Sequence, residues 1–201
     1  TKSDMKNMTI WNIARACKGH LAVPAGKHTG TCPAAGMAVI RGYSGKEAAG
    51  IVIDSRKVEP GDIFVAIRGE RVDGHQFIRE VFDKGAIAVV CEEEPEELPG
   101  PCIRVEDSLA ALRQIAAFYR EQMPIPIVGI TGSVGKTSTK EFVASVLAQK
   151  YKTHKTQGNF NNEIGVPLTL LAMPEDTEAA VVEMGINHFG EMHRLSEMVK
   201  P

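Results

Sequence analysis

Hydrophobic positions recur along this chain in two rhythms, one of period near 3.6 and one of short continuous runs. Ile10, Ile13, Ala14 and Cys17 stand at i, i+3, i+4 and i+7, which predicts an opening amphipathic helix with Thr9 available as its cap. Across residues 18–50 the rhythm fades into glycine, proline and small residues, with one brief apolar run at 37–40, so loops and weak strands are predicted there. From Gly50 the pattern sharpens: Ile51–Ile53 and Ile63–Ile67 are strand-like runs separated by the turn Glu59-Pro-Gly-Asp62. Phe77, Ile78, Val81 and Phe82 return to helical spacing before Gly85, and residues 86–91 predict a buried strand. A further helix opens at Glu106-Asp-Ser108 and carries Leu109, Leu112, Ile115, Ala116 and Tyr119 on one face as far as Gln122.

Met123-Pro-Ile-Pro126 then disfavours helix and reads as a stiff connector, placing a boundary between a domain at 9–122 and one at 123–201. Beyond it come an apolar strand at 125–130, a glycine loop, and a helix at 139–150 with Phe142, Val143, Val146 and Leu147 on one face. Another apolar run, Ala179-Ala-Val-Val-Glu183, ends in a carboxylate. The alternation predicts an α/β chain: a small mixed α/β domain followed by the start of a parallel-sheet domain.

Composition narrows what such a chain does. Its 201 residues carry 23 Lys and Arg against 25 Asp and Glu, and a net charge of -2 gives no basic footprint for nucleic acid or an anionic membrane. An anionic ligand must therefore be held by a local site. Cysteines 17, 32, 91 and 102 form no C-x-x-C pair, which fits a reducing cytosol. No apolar stretch approaches the roughly 20 residues that span a bilayer, and Thr1–Thr9 shows no signal peptide, so a cytoplasmic protein is expected; Met5 and Met8 both read as natural starts. The glutamate-rich stretch 92–101 reads as a solvated loop.

The candidate chemistry lies in Thr131-Gly-Ser-Val-Gly-Lys-Thr-Ser138. Gly132 and Gly135 let backbone N–H groups close around phosphate oxygens at a helix N-terminus. Lys136 supplies a mobile charge for outer phosphates, and the Thr137 hydroxyl is a Mg²⁺ ligand candidate. The loop is tighter than G-x-x-x-x-G-K-[ST], since Ile130 stands five positions before Gly135; the plainer alternative is a glycine-rich β–α turn with a solvated lysine. Glu183 is the second Mg²⁺ candidate, at the C-terminal edge of a parallel strand.

Three stretches, 131–141, 156–169 and 182–191, together with Asp54–Ala66 and Gly69–His75, resemble the Mur ligase family, ATP-dependent amide-forming enzymes of bacterial cell-wall synthesis. Within it the resemblance is to the type that joins D-Ala-D-Ala to UDP-N-acetylmuramoyl-tripeptide through an acyl phosphate. Glu183-Met-Gly-Ile-Asn187 stands against the type that adds the third amino acid, which carries Glu-Val-Ser-Ser-His there. A nucleotide- or precursor-binding module without chemistry is the remaining alternative. The resemblance implies a UDP-binding front domain, with Ser55, Asp54, Arg56, Glu70, Arg71 and Val72 at the uridine diphosphate end. It further implies ATP on Gly132, Ser133, Val134, Gly135, Lys136, Thr137 and Ser138, Lys136 and Glu183 in catalysis, Mg²⁺ on Thr137 and Glu183, and Asn162 at substrate or nucleotide. Asp54 and Arg56 read equally well as a local ion pair, and Asn159, Asn161 and Asn162 as Asx turns. His193 reads as a surface residue, since His188 and His193 lack the i, i+4 spacing of a helical zinc pair. Val134 replaces the Asn common in the family, and residues 20–50 are longer than usual. Because β–α units take roughly 30 residues, the second domain is expected to be incomplete. The whole enzyme is expected to be monomeric, and this piece alone to make no peptide bond.

Overall fold

In chain order the first elements are α1 (Ile10–Ala16), β1 (His20–Ala22), β2 (Gly50–Val52), β3 (Asp62–Val65), α2 (Ile78–Asp83), β4 (Ala88–Cys91) and β5 (Cys102–Arg104). Single 3-10 turns at Ser55–Lys57 and Gly74–Phe77 join some of them. The computed structural model describes residues 5–24, 42–43, 45–69, 72–186 and 189–201, and the apolar run at 37–40 lies outside them. Thr9 caps α1 as its sequence predicts, its hydroxyl accepting from the Asn12 N–H at 3.1 Å.

The five strands form one sheet in the order β1-β5-β4-β3-β2, with β1 antiparallel to β5 and the other pairs parallel. β2 and β3, read as neighbouring runs around a turn, are thus parallel partners joined by a crossover and not a hairpin. β3 and β4 are buried along their whole length, as strands covered on both faces must be. Phe64, Ala66, Val89, Cys91 and Cys102 cluster with Ile78 and Val81 of α2 on one face. The alternate residues Ile63, Val65, Val90 and Ile103 fill the other. Cys17, Cys91 and Cys102 are buried free thiols, consistent with packing residues, while Cys32 lies outside the described residues. Strand β5 and strand β1 carried too few residues to show a rhythm in the sequence.

Helix α3 (Ser108–Glu121) is capped by Asp107, whose carboxylate accepts from the N–H groups of Leu109 and Ala110 at 2.8 and 2.9 Å. The chain divides within this helix into two units, Thr1–Ala111 and Leu112–Pro201. In the second unit Arg120 satisfies four carbonyls, those of Met123, Ile125, Val199 and Lys200, and the Tyr119 hydroxyl donates to the Met173 carbonyl at 2.7 Å. The proline-bearing connector is thereby tied down where its own N–H groups cannot build a helix.

After the connector come β6 (Ile127–Ile130), α4 (Lys136–Leu147), β7 (Thr153–Lys155), α5 (Gly165–Leu171), β8 (Ala179–Glu183) and α6 (Glu191–Val199). The sheet is parallel, ordered β6-β8-β7, with the fully buried β8 in the centre. Only half of the apolar stripe read on α4 turns inward: Val143 and Leu147 are half-buried, on the same face as Lys140 and Ala144. Phe142 and Val146 are 72% and 69% exposed, whereas Lys140 and Ala144 are buried. Among the described residues no helix is long and apolar enough to cross a membrane.

Candidate functional site

The register of two strands builds the site. Ile130 pairs with Glu183, so the loop leaving β6 begins beside the carboxylate that ends β8. Gly132 and Gly135 take φ of +139° and +80°, conformations that side chains other than glycine rarely adopt, and the turn they make opens directly into α4. Among the described residues no side chain caps α4, so its first N–H groups and the positive end of its dipole face the exposed loop. Lys136 folds back to donate from Nζ to the Gly132 carbonyl at 2.7 Å, within reach of whatever the loop encloses.

Around Glu183 the polar groups converge. The Thr137 hydroxyl lies 3.3 and 3.2 Å from its two carboxylate oxygens, and Asn161 Nδ2 donates to Oε1 at 2.9 Å. Lys140 Nζ stands 3.7 Å from Oε2. The backbone is fixed as well: Glu183 N–H donates to the buried Thr156 hydroxyl at 2.9 Å, and Met184 N–H to the Ile130 carbonyl at 2.8 Å. Two hard oxygen donors, a hydroxyl and a carboxylate, thus meet at the mouth of the glycine loop, a donor set of the kind that suits Mg²⁺ shared with phosphates.

The structure therefore gathers Gly132, Ser133, Val134, Gly135, Lys136, Thr137 and Ser138 with Glu183 in one place. Asn162 does something else: its Oδ1 accepts from the N–H groups of Ile164 and Gly165 at 3.2 and 2.7 Å, opening α5 as an Asx cap. Its neighbour Asn161 is the one that reaches Glu183, held there by the Gly185 N–H on its own carbonyl at 2.7 Å. Gly165 allows this loop to close, since a Cβ there would stand 2.4 Å from the Phe160 Cα. Thr156, Asn161 and Lys140 escaped the sequence reading as functional residues. The available signal was Thr137, Lys140 and Ala144 at i, i+3 and i+7, a polar and small face opposite the more conspicuous Phe142 and Val146.

At the other candidate end, Asp54 caps its 3-10 turn through the Arg56 N–H at 3.1 Å and binds the Arg56 guanidinium twice at 2.8 Å. That guanidinium pulls the Asp54 carboxyl down to about 2. Ser55 is buried, and its carbonyl accepts from Lys84 Nζ at 2.9 Å. Val72 is exposed, and Glu70 and Arg71 lie outside the described residues. Next to them His75 accepts from the Glu92 N–H at Nε2, 2.9 Å away, which leaves Nδ1–H to donate to Asp73 at 2.6 Å. His193 is exposed beside Glu197, and Asn187 and His188 lie outside the described residues.

Known proteins share both halves. Residues 47–120 match the family described as "Mur ligase family, catalytic domain", and residues 130–201 match the Mur ligase middle domain, on either side of the connector. The UDP-N-acetylmuramoyl-tripeptide–D-alanyl-D-alanine ligase of Bacillus subtilis is 41% identical over 98% of this chain, which corresponds to 40% of that enzyme. The Synechocystis enzyme of the same name is 48% identical over 75% of this chain and 34% of its own length. An Acinetobacter baumannii ligase structure of this type superimposes with a TM-score of 0.80 at 32% identity, over 100% of this chain and 41% of its own. The Thermotoga maritima MurF ligase, solved in complex with ADP, gives 0.69 at 36% identity over 74% of this chain and 34% of its own. This chain thus spans about 40% of the length of its fullest matches. With both domain patterns in sequence order and the loop, strand and carboxylate in register, the chain belongs to the Mur ligase family.

Proposed function

We propose that this chain supplies the precursor-binding and nucleotide-phosphate portions of an ATP-dependent ligase of peptidoglycan precursor synthesis, the one that adds D-Ala-D-Ala to UDP-N-acetylmuramoyl-tripeptide. The observation that carries the reading is the pairing of Ile130 with Glu183, which sets the Thr137 hydroxyl 3.2 Å from a buried carboxylate at the mouth of the glycine loop. The names of the relatives support the substrates. In this reading the N–H groups of residues 132–138 hold the phosphates, and Lys136 exchanges the Gly132 carbonyl for an outer phosphate oxygen. Thr137 and Glu183 would hold Mg²⁺, which when bound neutralises charge on the transferring phosphoryl group.

The reaction this serves has two displacements. The terminal carboxylate oxygen of the tripeptide attacks the γ-phosphorus and ADP leaves, giving an acyl phosphate. The amine of D-Ala-D-Ala then attacks the acyl carbon, loses its proton, and phosphate leaves. The role of this chain in the first step is positioning and charge stabilisation, which is what phosphoryl transfer chiefly asks of a protein. Asp54, Ser55, Arg56 and the segment from Glu70 to Val72 would serve the uridine diphosphate end. Calorimetric titration with ATP and Mg²⁺ tests the reading: the chain binds, and Lys136→Ala weakens binding by at least about tenfold through loss of a charge-assisted contact. Absence of nucleotide binding by the folded wild-type chain would overturn it.

A further inference from the structure

Lys140 lies one helical turn beyond Lys136, and its side chain is 2% exposed, as is that of Glu183. Its ammonium stands 3.7 Å from Glu183 and 3.2 Å from Glu141, and Glu141 in turn pairs with Lys155 of β7. Four alternating charges therefore run from the strand end to the surface. Glu183 and Lys140 are buried together, whereas Glu141 is half-exposed, so the acid that faces the loop is already matched by a fixed cation. Among the described residues no group of three or more His, Cys, Asp or Glu is placed to hold a metal ion. A divalent cation arriving alone would find one carboxylate, one hydroxyl, and an ammonium that repels it. Mg²⁺ bound by few protein ligands relies on substrate phosphates for the rest of its charge and coordination.

We propose that Lys140 is a positioning residue that holds the Glu183 carboxylate toward Thr137 and Asn161 and suppresses binding of free divalent cations, so that the metal enters only with nucleotide phosphates. This rests on the assignment of Thr137 and Glu183 to the metal. The lysine takes no part in bond making; its effect is electrostatic, exerted through a low-dielectric contact in which one missing charge is strongly felt.

Mn²⁺, titrated into the 201-residue chain and followed by electron paramagnetic resonance with and without a non-hydrolysable ATP analogue, separates the outcomes. The wild type takes up Mn²⁺ only with the nucleotide. Lys140→Gln binds free Mn²⁺ at least about tenfold tighter than the wild type, because the buried carboxylate has lost its counter-charge. Lys140→Arg restores the wild-type pattern. A lysine with a merely structural role would not tighten metal binding selectively in the absence of nucleotide. If Lys140→Gln does not fold, Mn²⁺ alone should restore its circular dichroism, and failure to do so overturns the proposal. Equal free-Mn²⁺ affinity in folded wild type and Lys140→Gln overturns it too. A wild type that binds no Mn²⁺–nucleotide would instead sink the metal assignment on which it rests.

Discussion

Two acid–base pairs in this chain, Asp54–Arg56 and Glu183–Lys140, rank in opposite orders by distance and by consequence. The first is bidentate at 2.8 Å, and the second holds a single contact at 3.7 Å. Yet the Arg56 side chain is 85% exposed and that of Asp54 27%, whereas both members of the second pair are at 2%. Water and salt compete with the first pair and screen it, so good geometry there yields little stability. Among the described residues Lys140 is the cation paired with Glu183, and in metal-free buffer its loss would leave Glu183 a buried charge without its counter-ion. Environment, more than bond length, decides what an ion pair is worth.

The largest test of that contrast is Lys140→Gln in metal-free buffer, which should cost about 3–5 kcal/mol, read from urea unfolding followed by circular dichroism. A loss below about 1 kcal/mol would place this pair with ordinary surface pairs and break the contrast. Gly165→Ala provides a steric reference in the same unit: its Cβ meets the Phe160 backbone at 2.4 Å, and the loop must shift at a cost of about 1–3 kcal/mol.

His154 sharpens the contrast from the other direction, because burial works there against charge. It sits on β7 with Nε2 against the Thr169 carbonyl at 2.9 Å, and burial pushes its pKa below the ordinary value of 6.5. The unfolded chain therefore takes up the proton first, and this contribution to stability is complete at neutral pH and declines as pH falls through about 6.5 toward the folded value. His154→Gln should flatten stability between about pH 7 and pH 5, measured as unfolding midpoints across buffers. Smallest of all is Arg56→Ala, for which no shift in the unfolding midpoint is expected at physiological salt. A loss of affinity for a UDP-linked precursor in that folded variant would give Arg56 a ligand-binding role beyond its local pair.

Much of this was legible because periodicity reports burial. α1, α2, α3, β3, β4 and β8 all lie under their apolar runs, and the glycine loop stands between a strand and a helix, where its sequence predicts it. Two features were hidden for physical reasons. Of the stripe Phe142, Val143, Val146 and Leu147 only Val143 and Leu147 turn inward, because apolar periodicity misplaces the inner face of a helix when that face is completed by Lys140 and Ala144. Asn161 and Asn162 are the same residue type one position apart. Only the fold of the loop shows that one caps α5 and the other reaches Glu183.

The pairing of Ile130 with Glu183 also makes strand length a gauge. One residue of slip moves a side chain about 3.3 Å along the strand and turns it to the opposite face. β8 is apolar and buried on both faces, so a slipped Ala179–Val182 would bury nearly as well as the native one, and hydrophobicity alone does not police the alignment. That task falls to the Thr156 hydroxyl on the Glu183 N–H and to the Ile130 carbonyl on the Met184 N–H. A one-residue insertion or deletion inside β8 would consequently leave a foldable sheet with its acid facing away from the loop. Substitution tolerance and length tolerance therefore diverge within the same five residues.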